Sequence, residues 1–335
     1  MQATPVDRSV LVAAQGGDEQ AFVRLTAPYR QQLHAHCYRI LGSLHDADDA
    51  LQETMLRAWR SIDRFQPQAP LSAWMYRIAT NVCLRMLERR RRESGAAVDA
   101  HLEPYPDRLL KDLPSTAPGP EETVEERDRI GLAFVTAMQL LPAKQRVTVV
   151  LRDVLGWSAR EVAELLDDSV PAVNSALQRG RDRLQRERHE GSLARPHAPA
   201  NAAAEERVMR RFQEAWAAID IDSIVALLSD DALLTMPPEA LCFQGGAQIG
   251  AFFATAPLDG RLDRIQLVAT RANRQPALAA YADEHGSGVF DAYGVMVFAI
   301  RGDRIDGITG FAQQPALFTR LGLPTQLTTT SARKG

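Results

Sequence analysis

The sequence predicts a multi-domain protein in which two all-α modules precede one α+β module. Strong helical periodicity runs through residues 7–92 and 121–189, whereas after residue 205 two helices give way to strand-like alternation. The stretches between these modules are rich in proline and alanine, which predicts linkers with little regular structure. The predicted modules, linkers and tail occupy residues 7–92, 93–120, 121–189, 190–204, 205–324 and 325–335.

The composition is typical of a globular protein. The chain has 335 residues, of which 45% are hydrophobic and 24% charged, so it is long enough for two or three separate cores. No apolar run approaches the ~18 residues that a membrane span requires. The first residues also lack the apolar centre and the small-residue cleavage site of a signal peptide. We therefore expect a cytoplasmic protein without membrane contact.

The cysteines favour neither a disulfide framework nor a zinc site. Cys37, Cys83 and Cys242 are odd in number and far apart in the chain. We expect each of them to be a buried free thiol, and we expect neither a metal site nor a cofactor.

The distribution of charge is more informative than the net charge of −3. Arginine clusters at Arg85–Arg92 and Arg179–Arg188, and acidic residues cluster at Asp46–Glu53 and Glu121–Asp128. Segregated charge allows one surface to bind nucleic acid and another to bind a basic protein.

The first module contains an acidic amphipathic helix. Its segment Asp46–Trp59 places Leu51, Met55 and Trp59 on one face, while the carboxylates lie toward the other faces near the helix start. Periodicity alone favours an ordinary amphipathic helix with a solvated acidic face.

The residue string of this helix resembles region 2.2 of extracytoplasmic-function sigma factors in the sigma-70 family. In that family the helix docks on the basic coiled coil of the β′ subunit of RNA polymerase. The resemblance implies polymerase contacts by Asp48, Asp49, Gln52 and Glu53.

The next helix, Leu71–Leu84, leads into the cationic run Glu88–Arg92. Arginines bind phosphates electrostatically, and polar or aromatic side chains can hold unstacked bases. The stretch resembles sigma regions 2.3 and 2.4, which melt and read the minus-ten element; Arg85 stands where many relatives carry Asp, which leaves the local base preference open. Trp74 suits either a core or a DNA contact. The implied DNA-binding residues are Trp74, Asn81, Arg89, Arg90, Arg91 and Arg92.

The second module has the pattern of a helix-turn-helix. After a helix entered through Pro142, Ser158–Glu161 forms a capping box, and the turn Asp167–Ser169 precedes a second helix, Val170–Leu184. Val173 and Leu177 are spaced to pack inward. The predicted DNA-facing residues are Pro171, Ala172, Asn174, Ser175, Gln178, Arg179 and Arg181.

The block Leu141–Leu184 resembles sigma region 4, the reader of the minus-thirty-five element. Asp167 replaces the usual glycine of the turn and is able to adopt a left-handed backbone. Together the two modules predict a region 2 helical bundle and a region 4 helix-turn-helix that bind promoter DNA and core RNA polymerase through its β′ coiled coil and β flap.

The third module reads as helices followed by a meander of strands, which predicts a cone-shaped α+β half-barrel. It resembles the SnoaL-like superfamily of polyketide cyclases, ketosteroid isomerases and nuclear transport factor 2. Where the isomerases carry a basic Asp, this chain reads Thr235-Met-Pro-Pro238, although Asp291 or His285 could reach a cavity mouth. A protein-contacting regulatory module is favoured over a small-molecule sensor, and both over an enzyme.

The first linker carries a short motif of its own. Residues 101–107 resemble the Trp-Leu-x-Pro-x-Pro-Asp motif of sigma factors with a SnoaL-like tail, with His101 in place of Trp. In that family the tail is thought to modulate the sigma factor from within the chain. The implied regulatory residues are Leu102, Pro104, Tyr105, Pro106 and Asp107.

The leading prediction is therefore a non-enzymatic promoter-specificity subunit of RNA polymerase, modulated by its own C-terminal domain. The alternatives are a ligand-responsive helix-turn-helix regulator and, less favoured, an isomerase or cyclase fused to a DNA-binding domain. The Asp46–Trp59 helix separates these hypotheses, because a stand-alone regulator has no need of a polymerase-docking helix.

Overall fold

The computed structural model describes residues 7–68, 70–93, 102–110, 130–189, 202–239 and 241–328, with the side chains of residues 188 and 189 excepted. Its contacts divide the chain into two compact units. The first contains residues 7–93 and 135–186, and the second contains residues 102–108, 130–134 and 202–328.

Four helices open the first unit: α1 Arg8–Gln15, α2 Glu19–Leu41, α3 Leu44–Ser61 and α4 Leu71–Glu93. The side chains of Asp7, Asp18 and Ser43 cap the first three helices by accepting a hydrogen bond from a backbone amide of the first turn. Gly42 ends α2 in the left-handed conformation, with φ of 80°.

The core of this bundle includes a buried histidine. His36 on α2 is fully buried, and its Nε2 lies 2.9 Å from the hydroxyl of Thr80 on α4. Burial, and to a lesser extent the charge of Arg39, lowers the pKa of His36 to about 3. The ring is therefore neutral at physiological pH.

The chain continues with helices α5 Leu132–Gln139, α6 Ala143–Val149, α7 Ala159–Leu166 and α8 Val170–His189, and residues Val150–Val154 extend α6 as a π-helical turn. Arg146 on α6 is 5% exposed and donates hydrogen bonds to the Ile40 carbonyl at 2.7 Å and to Oε1 of Gln139 at 2.5 Å. Burial lowers its pKa to about 10, so it remains charged at neutral pH. This buried guanidinium joins the end of α2 to α6.

The second unit is built on one seven-stranded sheet of the described chain. The strands are β1 Leu228–Thr235, β2 Cys242–Gln244, β3 Ile265–Ala272, β4 Gln275–Ala282, β5 Val289–Arg301, β6 Arg304–Ala312 and β7 Gln326–Thr328. Their order is β2-β1-β6-β5-β4-β3, and β7 pairs with β5. Only the pair β1–β6 is parallel among the strand pairs described.

The helices of this unit are α9 Ala202–Ala217, α10 Ile221–Val225, α11 Gly245–Thr255 and α12 Ala316–Leu321. Phe212 and Trp216 of α9 and Phe253 of α11 form an aromatic cluster, in which Phe212 lies 5.0 Å from the ring of Phe298 on β5. Helices thus pack on the curved sheet through apolar side chains. The predicted fold class, two all-α modules followed by an α+β cone-shaped half-barrel, is confirmed.

Three details differ from the sequence-based expectation. Cys37 and Cys83 are buried free thiols as predicted, but Cys242 is exposed on the short edge strand β2. The tail predicted from residue 325 contributes strand β7, and the preceding helix α12 had no predicted counterpart. Strand β7 is three residues long, which is too short for a pattern of alternation to be detected in the sequence.

Candidate polymerase, promoter and linker sites

The acidic residues predicted to contact polymerase lie on the outer face of α3. Ala47, Ala50 and Met55 bury the opposite face, which follows from the helical repeat. Asp48, Asp49 and Gln52 are exposed and Glu53 is half-buried. The four residues Asp48, Asp49, Gln52 and Glu53 therefore form one surface two turns long.

Neighbouring side chains hold these carboxylates in place. Asp48 lies 3.1 Å from Nε2 of His34, and Asp49 lies 3.7 Å from Nε2 of His45. Glu53 accepts a hydrogen bond from Nε of Arg57, one turn along the helix, at 2.5 Å. The surface therefore presents carboxylates from a rigid helix.

The predicted minus-ten residues on helix α4 differ in their exposure to solvent. Trp74 and Asn81 are half-buried, and the Trp74 ring packs against Phe65 with centroids 5.1 Å apart. The exposed arginines of the cationic run are Arg89, Arg91 and Arg92. Arg90 differs from them, because its side chain is 26% exposed and forms an ion pair with Asp46 of α3.

The helix-turn-helix of α7 and α8 has the predicted local geometry. Ser158 and Glu161 form the capping box, and Asp167 ends α7 in the left-handed conformation with φ of 51°. The Ser169 hydroxyl accepts a hydrogen bond from the Ala172 amide at 3.3 Å. Val173 is buried, so the opposite face of α8 is the one that remains accessible.

That accessible face carries the predicted DNA-facing residues. Pro171, Asn174, Ser175, Gln178, Arg179 and Arg181 are exposed and Ala172 is half-buried. Two of them have partners on the protein: Nε2 of Gln178 donates to Asp182 at 2.8 Å, and Nε of Arg181 donates to Asp153 at 3.0 Å. A phosphate or a base must therefore compete with these carboxylates.

The linker motif lies against the β3–β4 hairpin of the second unit. Leu102 is 3% exposed and Tyr105 is fully buried. The Tyr105 amide donates to Oδ1 of Asn273 at 2.7 Å, and the Asn273 amide donates to the Tyr105 carbonyl at 2.7 Å. Pro106 forms an antiparallel bridge with Ala272, so the linker adds briefly to the sheet.

The hairpin turn is suited to this contact. Asn273 and Arg274 are its two central residues, with φ of 56° and 60°, which is the pattern of a type I′ turn. Asparagine tolerates this conformation better than most residues. The turn directs the Asn273 amide group into the buried contact, where the side chain is 1% exposed.

Asp107 adds an electrostatic contact to the motif. Its Oδ1 accepts from the Arg274 amide at 2.7 Å, and its Oδ2 lies 3.3 Å from Nε of Arg271, which also contacts Glu205 at 3.2 Å. Burial raises the pKa of Asp107, although these hydrogen bonds and the charge of Arg271 act in the opposite direction. Arg108 donates to the Arg320 carbonyl at 2.9 and 2.7 Å.

The same hairpin also contacts the start of the second helical module. Nδ2 of Asn273 donates to the Ile130 carbonyl at 2.7 Å. The Leu132 amide donates to Oε1 of Gln275 at 2.8 Å, while Nε2 of Gln275 donates to the Phe298 carbonyl at 3.1 Å. Asn273 therefore contacts both the linker motif and the first described residue of the second helical module.

The residues missed by the sequence prediction are Asn273, Gln275, Arg271 and Arg320. Asn273 and Arg274 lie between two strand-like runs, which is consistent with a hairpin turn. Nothing local in the sequence indicated that the Asn273 side chain would be buried against the linker. His101 of the motif and the acidic segment Glu121–Asp128 lie outside the described residues.

The C-terminal half-barrel contains a cavity of about 190 Å³. Its lining side chains, all within the described part of the chain, include no carboxylate, imidazole or amine. Asp291 and His285, the predicted candidates for a catalytic group, are exposed and do not line it. Asp291 instead accepts a hydrogen bond from Nε2 of Gln326 at 2.8 Å.

Two further searches cover only the residues that the structure describes. They contain no group of three or more His, Cys, Asp or Glu side chains arranged to hold a metal ion. Within the same ranges, no helix has the length and apolar character needed to cross a membrane.

Comparison with known proteins identifies the family. Residues 25–93 match Sigma-70 region 2, and residues 131–184 match Sigma-70, region 4. The ECF RNA polymerase sigma factor SigG of Mycobacterium tuberculosis (strain H37Rv) is 38% identical over 349 residues, an alignment that covers 96% of this chain and 90% of the relative. The chain belongs to the ECF RNA polymerase sigma factors.

Two further proteins that resemble this sigma factor share less sequence with it or cover less of the chain. SigE of Mycolicibacterium smegmatis is 34% identical over 172 residues, which is 50% of this chain and 63% of the relative. The crystal structure of the Mycobacterium tuberculosis extracytoplasmic function sigma factor SigJ has a TM-score of 0.59 and 22% identity, and it covers 90% of this chain and 99% of its own. SigJ shares the fold through the C-terminal half-barrel.

The family gives the two helical modules their roles. The region 2 match spans α3 and α4, and the region 4 match ends within α8. As an ECF sigma factor the chain binds core RNA polymerase and promoter DNA and directs promoter-specific transcription initiation, as the sequence predicted. The individual contact residues remain predictions.

Proposed function

We propose that this sigma factor is regulated from within its own chain, by a C-terminal half-barrel that holds both the motif of the linker between its two promoter-reading modules and the start of the second of these modules. The observation that carries this proposal is the single side chain of Asn273, which hydrogen-bonds to Tyr105 and to Ile130. Tyr105 and Asn273 are 168 positions apart in sequence.

The energetics of the contact favour a specific association. Tyr105 buries its whole side chain, and burial of an aromatic ring contributes roughly 1.5–3 kcal/mol. Buried backbone groups at Tyr105 and Ile130 obtain their hydrogen bonds from Asn273, and leaving such groups unpaired costs about 1–3 kcal/mol each. The contact therefore carries several kcal/mol, enough for a switch between held and released states.

A held linker would limit the relative positions that the two promoter-reading modules can take during initiation. When the linker is fixed at residues 102–108 and the second module at residues 130–132, the two helical modules have fewer relative arrangements than a free linker would allow. Release of the linker would allow the two modules more relative arrangements. The C-terminal unit thus has a means of setting promoter output without a separate anti-sigma protein.

For the polymerase contact, we assign the exposed face of α3 that carries Asp48, Asp49, Gln52 and Glu53. Its support is the exposure of Asp48, Asp49 and Gln52 on one helix, together with the resemblance to region 2.2. A basic partner surface would be attracted to such a face. Asp46 does not belong to it, because its carboxylate is paired with Arg90.

For promoter contacts, we divide the residues by chemistry. The first two turns of α8, with Asn174 and Ser175 exposed, carry base readout at the minus-thirty-five element. Arg89, Arg91 and Arg92 on α4 bind the phosphate backbone, while Asn81 and Trp74 approach the minus-ten bases.

We place this activity in the cytoplasm with RNA polymerase, and we propose no catalytic role for the half-barrel. General acid–base chemistry needs a titratable group in the cavity. The cavity lining offers only one ionisable side chain, Tyr293, and burial raises the pKa of its phenol.

The test is promoter-dependent transcription with one preparation of core enzyme. We compare the full chain, a chain lacking residues 205–335 and the variant Tyr105→Ala. We expect the deletion to change output strongly without abolishing core binding, and Tyr105→Ala to reproduce part of that change. Identical output from all three proteins would exclude regulation through the linker.

A further inference from the structure

One carboxylate of the proposed polymerase surface is contacted from another helix. Nε2 of His34 on α2 lies 3.1 Å from Oδ1 of Asp48 on α3. The contacts of Asp49 and Glu53 come instead from side chains one turn away on α3 itself. Of these three contacts, only that of Asp48 depends on the packing of two helices.

His34 belongs to the interior of the helical bundle. Its side chain is 8% exposed, whereas that of Asp48 is 55% exposed. A polar ring that is buried to this degree needs a hydrogen-bond partner. The imidazole is therefore held inside the bundle, while the carboxylate that it contacts faces solvent.

The chemistry of this pair fixes the direction of its hydrogen bond. A carboxylate accepts hydrogen bonds and has no hydrogen to donate, so Nε2 of His34 carries the hydrogen and donates it to Asp48. The separation of 3.1 Å lies within the usual range for such a bond. By contrast, His45 and Asp49 are 3.7 Å apart and both are exposed, which is too far for a hydrogen bond.

This hydrogen bond restricts the rotation of the Asp48 side chain. A free surface side chain loses rotational freedom when a partner orders it, and that loss lowers the affinity of the complex. Because aspartate has two rotatable side-chain bonds, ordering it in advance is worth roughly 2- to 5-fold in affinity. A basic group of a partner then meets a carboxylate that is already in position.

We propose that His34 is a positioning residue for core RNA polymerase, which holds the Asp48 carboxylate in the orientation that binds a basic side chain of the polymerase. This role rests on the proposed polymerase surface of α3 and adds to it a residue that acts through Asp48. An uncharged imidazole acts by geometry alone, whereas an imidazolium would repel a basic partner. Removal of the ring therefore weakens binding in the first case and strengthens it in the second.

Competition binding to core polymerase at mildly alkaline pH, where imidazoles are ordinarily neutral, tests this role. Full-length variants displace the wild-type chain labelled at Cys242, which is exposed while Cys37 and Cys83 are buried. His34→Leu should weaken binding roughly 2- to 5-fold, because the donor to Asp48 is lost; His34→Phe takes its place where the leucine variant fails to fold. His34→Gln should bind like the wild type, because its side-chain amide retains a donor.

Two further variants separate positioning from a general effect on the bundle. The matched control Thr26→Val removes another buried hydrogen bond of α2, donated to the Phe22 carbonyl at 2.9 Å, and should leave affinity unchanged. In the Asp48→Ala background, His34→Leu should have no further effect, because the carboxylate that it orients is gone. Circular dichroism and thermal unfolding identify any variant that fails to fold.

The positioning role is overturned if folded His34→Leu binds core polymerase as tightly as the wild type or more tightly. It is also overturned if His34→Gln loses as much affinity as His34→Leu, if the loss persists undiminished in the Asp48→Ala background, or if Asp48→Ala alone leaves affinity unchanged. The proposed surface survives each of these results as long as charge reversal at Asp49 and Glu53 weakens binding. Should that reversal and Asp48→Ala both leave affinity unchanged, the surface is refuted and the role of His34 with it.

Discussion

The linker contact makes a sharp prediction for the variant Asn273→Gly. Glycine adopts the φ of 56° at this position without strain, so the hairpin turn is preserved. The variant removes only the side-chain amide, which accepts from the Tyr105 amide and donates to the Ile130 carbonyl, both at 2.7 Å. The backbone hydrogen bond between residue 273 and Tyr105 is untouched.

The expected loss follows from those two hydrogen bonds. Loss of each hydrogen bond leaves a buried backbone group unpaired, which costs about 1–3 kcal/mol. The free energy that favours the held state over the released state therefore falls by about 2–6 kcal/mol. Since 1.36 kcal/mol corresponds to tenfold, the released fraction should rise at least about 30-fold.

Amide hydrogen exchange measures this release. The amides of residues 273 and 274 keep their acceptors in the variant, namely the Tyr105 carbonyl and the Asp107 carboxylate. Faster exchange at these two amides therefore reports release of the linker and not loss of an acceptor. The matched control is Gln313→Gly, an exposed amide residue with the same φ of 56° for which the structure shows no hydrogen bond to the described linker residues 102–110.

Transcription gives the functional readout of the same pair of variants. Asn273→Gly should shift promoter-dependent output in the same direction as deletion of residues 205–335, while Gln313→Gly should match the wild type. Unchanged exchange at residues 273 and 274 in Asn273→Gly would refute the energetic reasoning. Increased exchange with unchanged transcription would refute the regulatory role.

Three other predictions concern the helical modules. Reversal of charge in the double variant Asp49→Lys and Glu53→Lys should weaken binding to core polymerase substantially, since two carboxylates of the α3 surface become cations; unchanged affinity at physiological salt would exclude this surface. Asn174→Ala should alter preference at the minus-thirty-five element, whereas Arg91→Ala should weaken binding to all sequences and reduce its salt dependence; equal shifts in footprints would contradict that division. His36 is neutral when folded, with a pKa of about 3 against 6.5 in the unfolded chain, so the unfolded state binds the proton first as pH falls. Protonation of His36 in the unfolded state should therefore lower the free energy of unfolding by about 2 kcal/mol between pH 7.5 and pH 5. Urea titrations of His36→Gln should lack this part of the pH dependence.

Short-range signals in the sequence were sufficient for the helical modules. The capping box at Ser158–Glu161 and the left-handed residue Asp167 were predicted and observed, because each depends on a few neighbouring residues. The acidic face of α3 likewise follows from the 3.6-residue repeat. Family membership rests on these local strings, and it is confirmed over nearly the whole chain.

Pairing of side chains from distant segments was beyond the sequence. The cationic run gave no sign that Arg90 turns to Asp46 on α3 while its neighbours stay exposed. Strand β7 escaped prediction because a three-residue edge strand carries no periodic pattern. The exposure of Cys242 depends on its strand lying at the edge of the sheet.

The sequence by itself determined the two sigma modules, their order and the α+β texture of the third, since capping, helical periodicity and strand alternation are properties of neighbouring residues. Only the tertiary structure decided that Asn273 contacts both the linker motif and the start of the second helical module, and that the half-barrel contains an apolar cavity. The first feature depends on which backbone groups from distant segments are buried together and need a hydrogen-bond partner. The second depends on the volumes of the side chains that face one another across the core. Burial of that kind is set when the whole chain packs together.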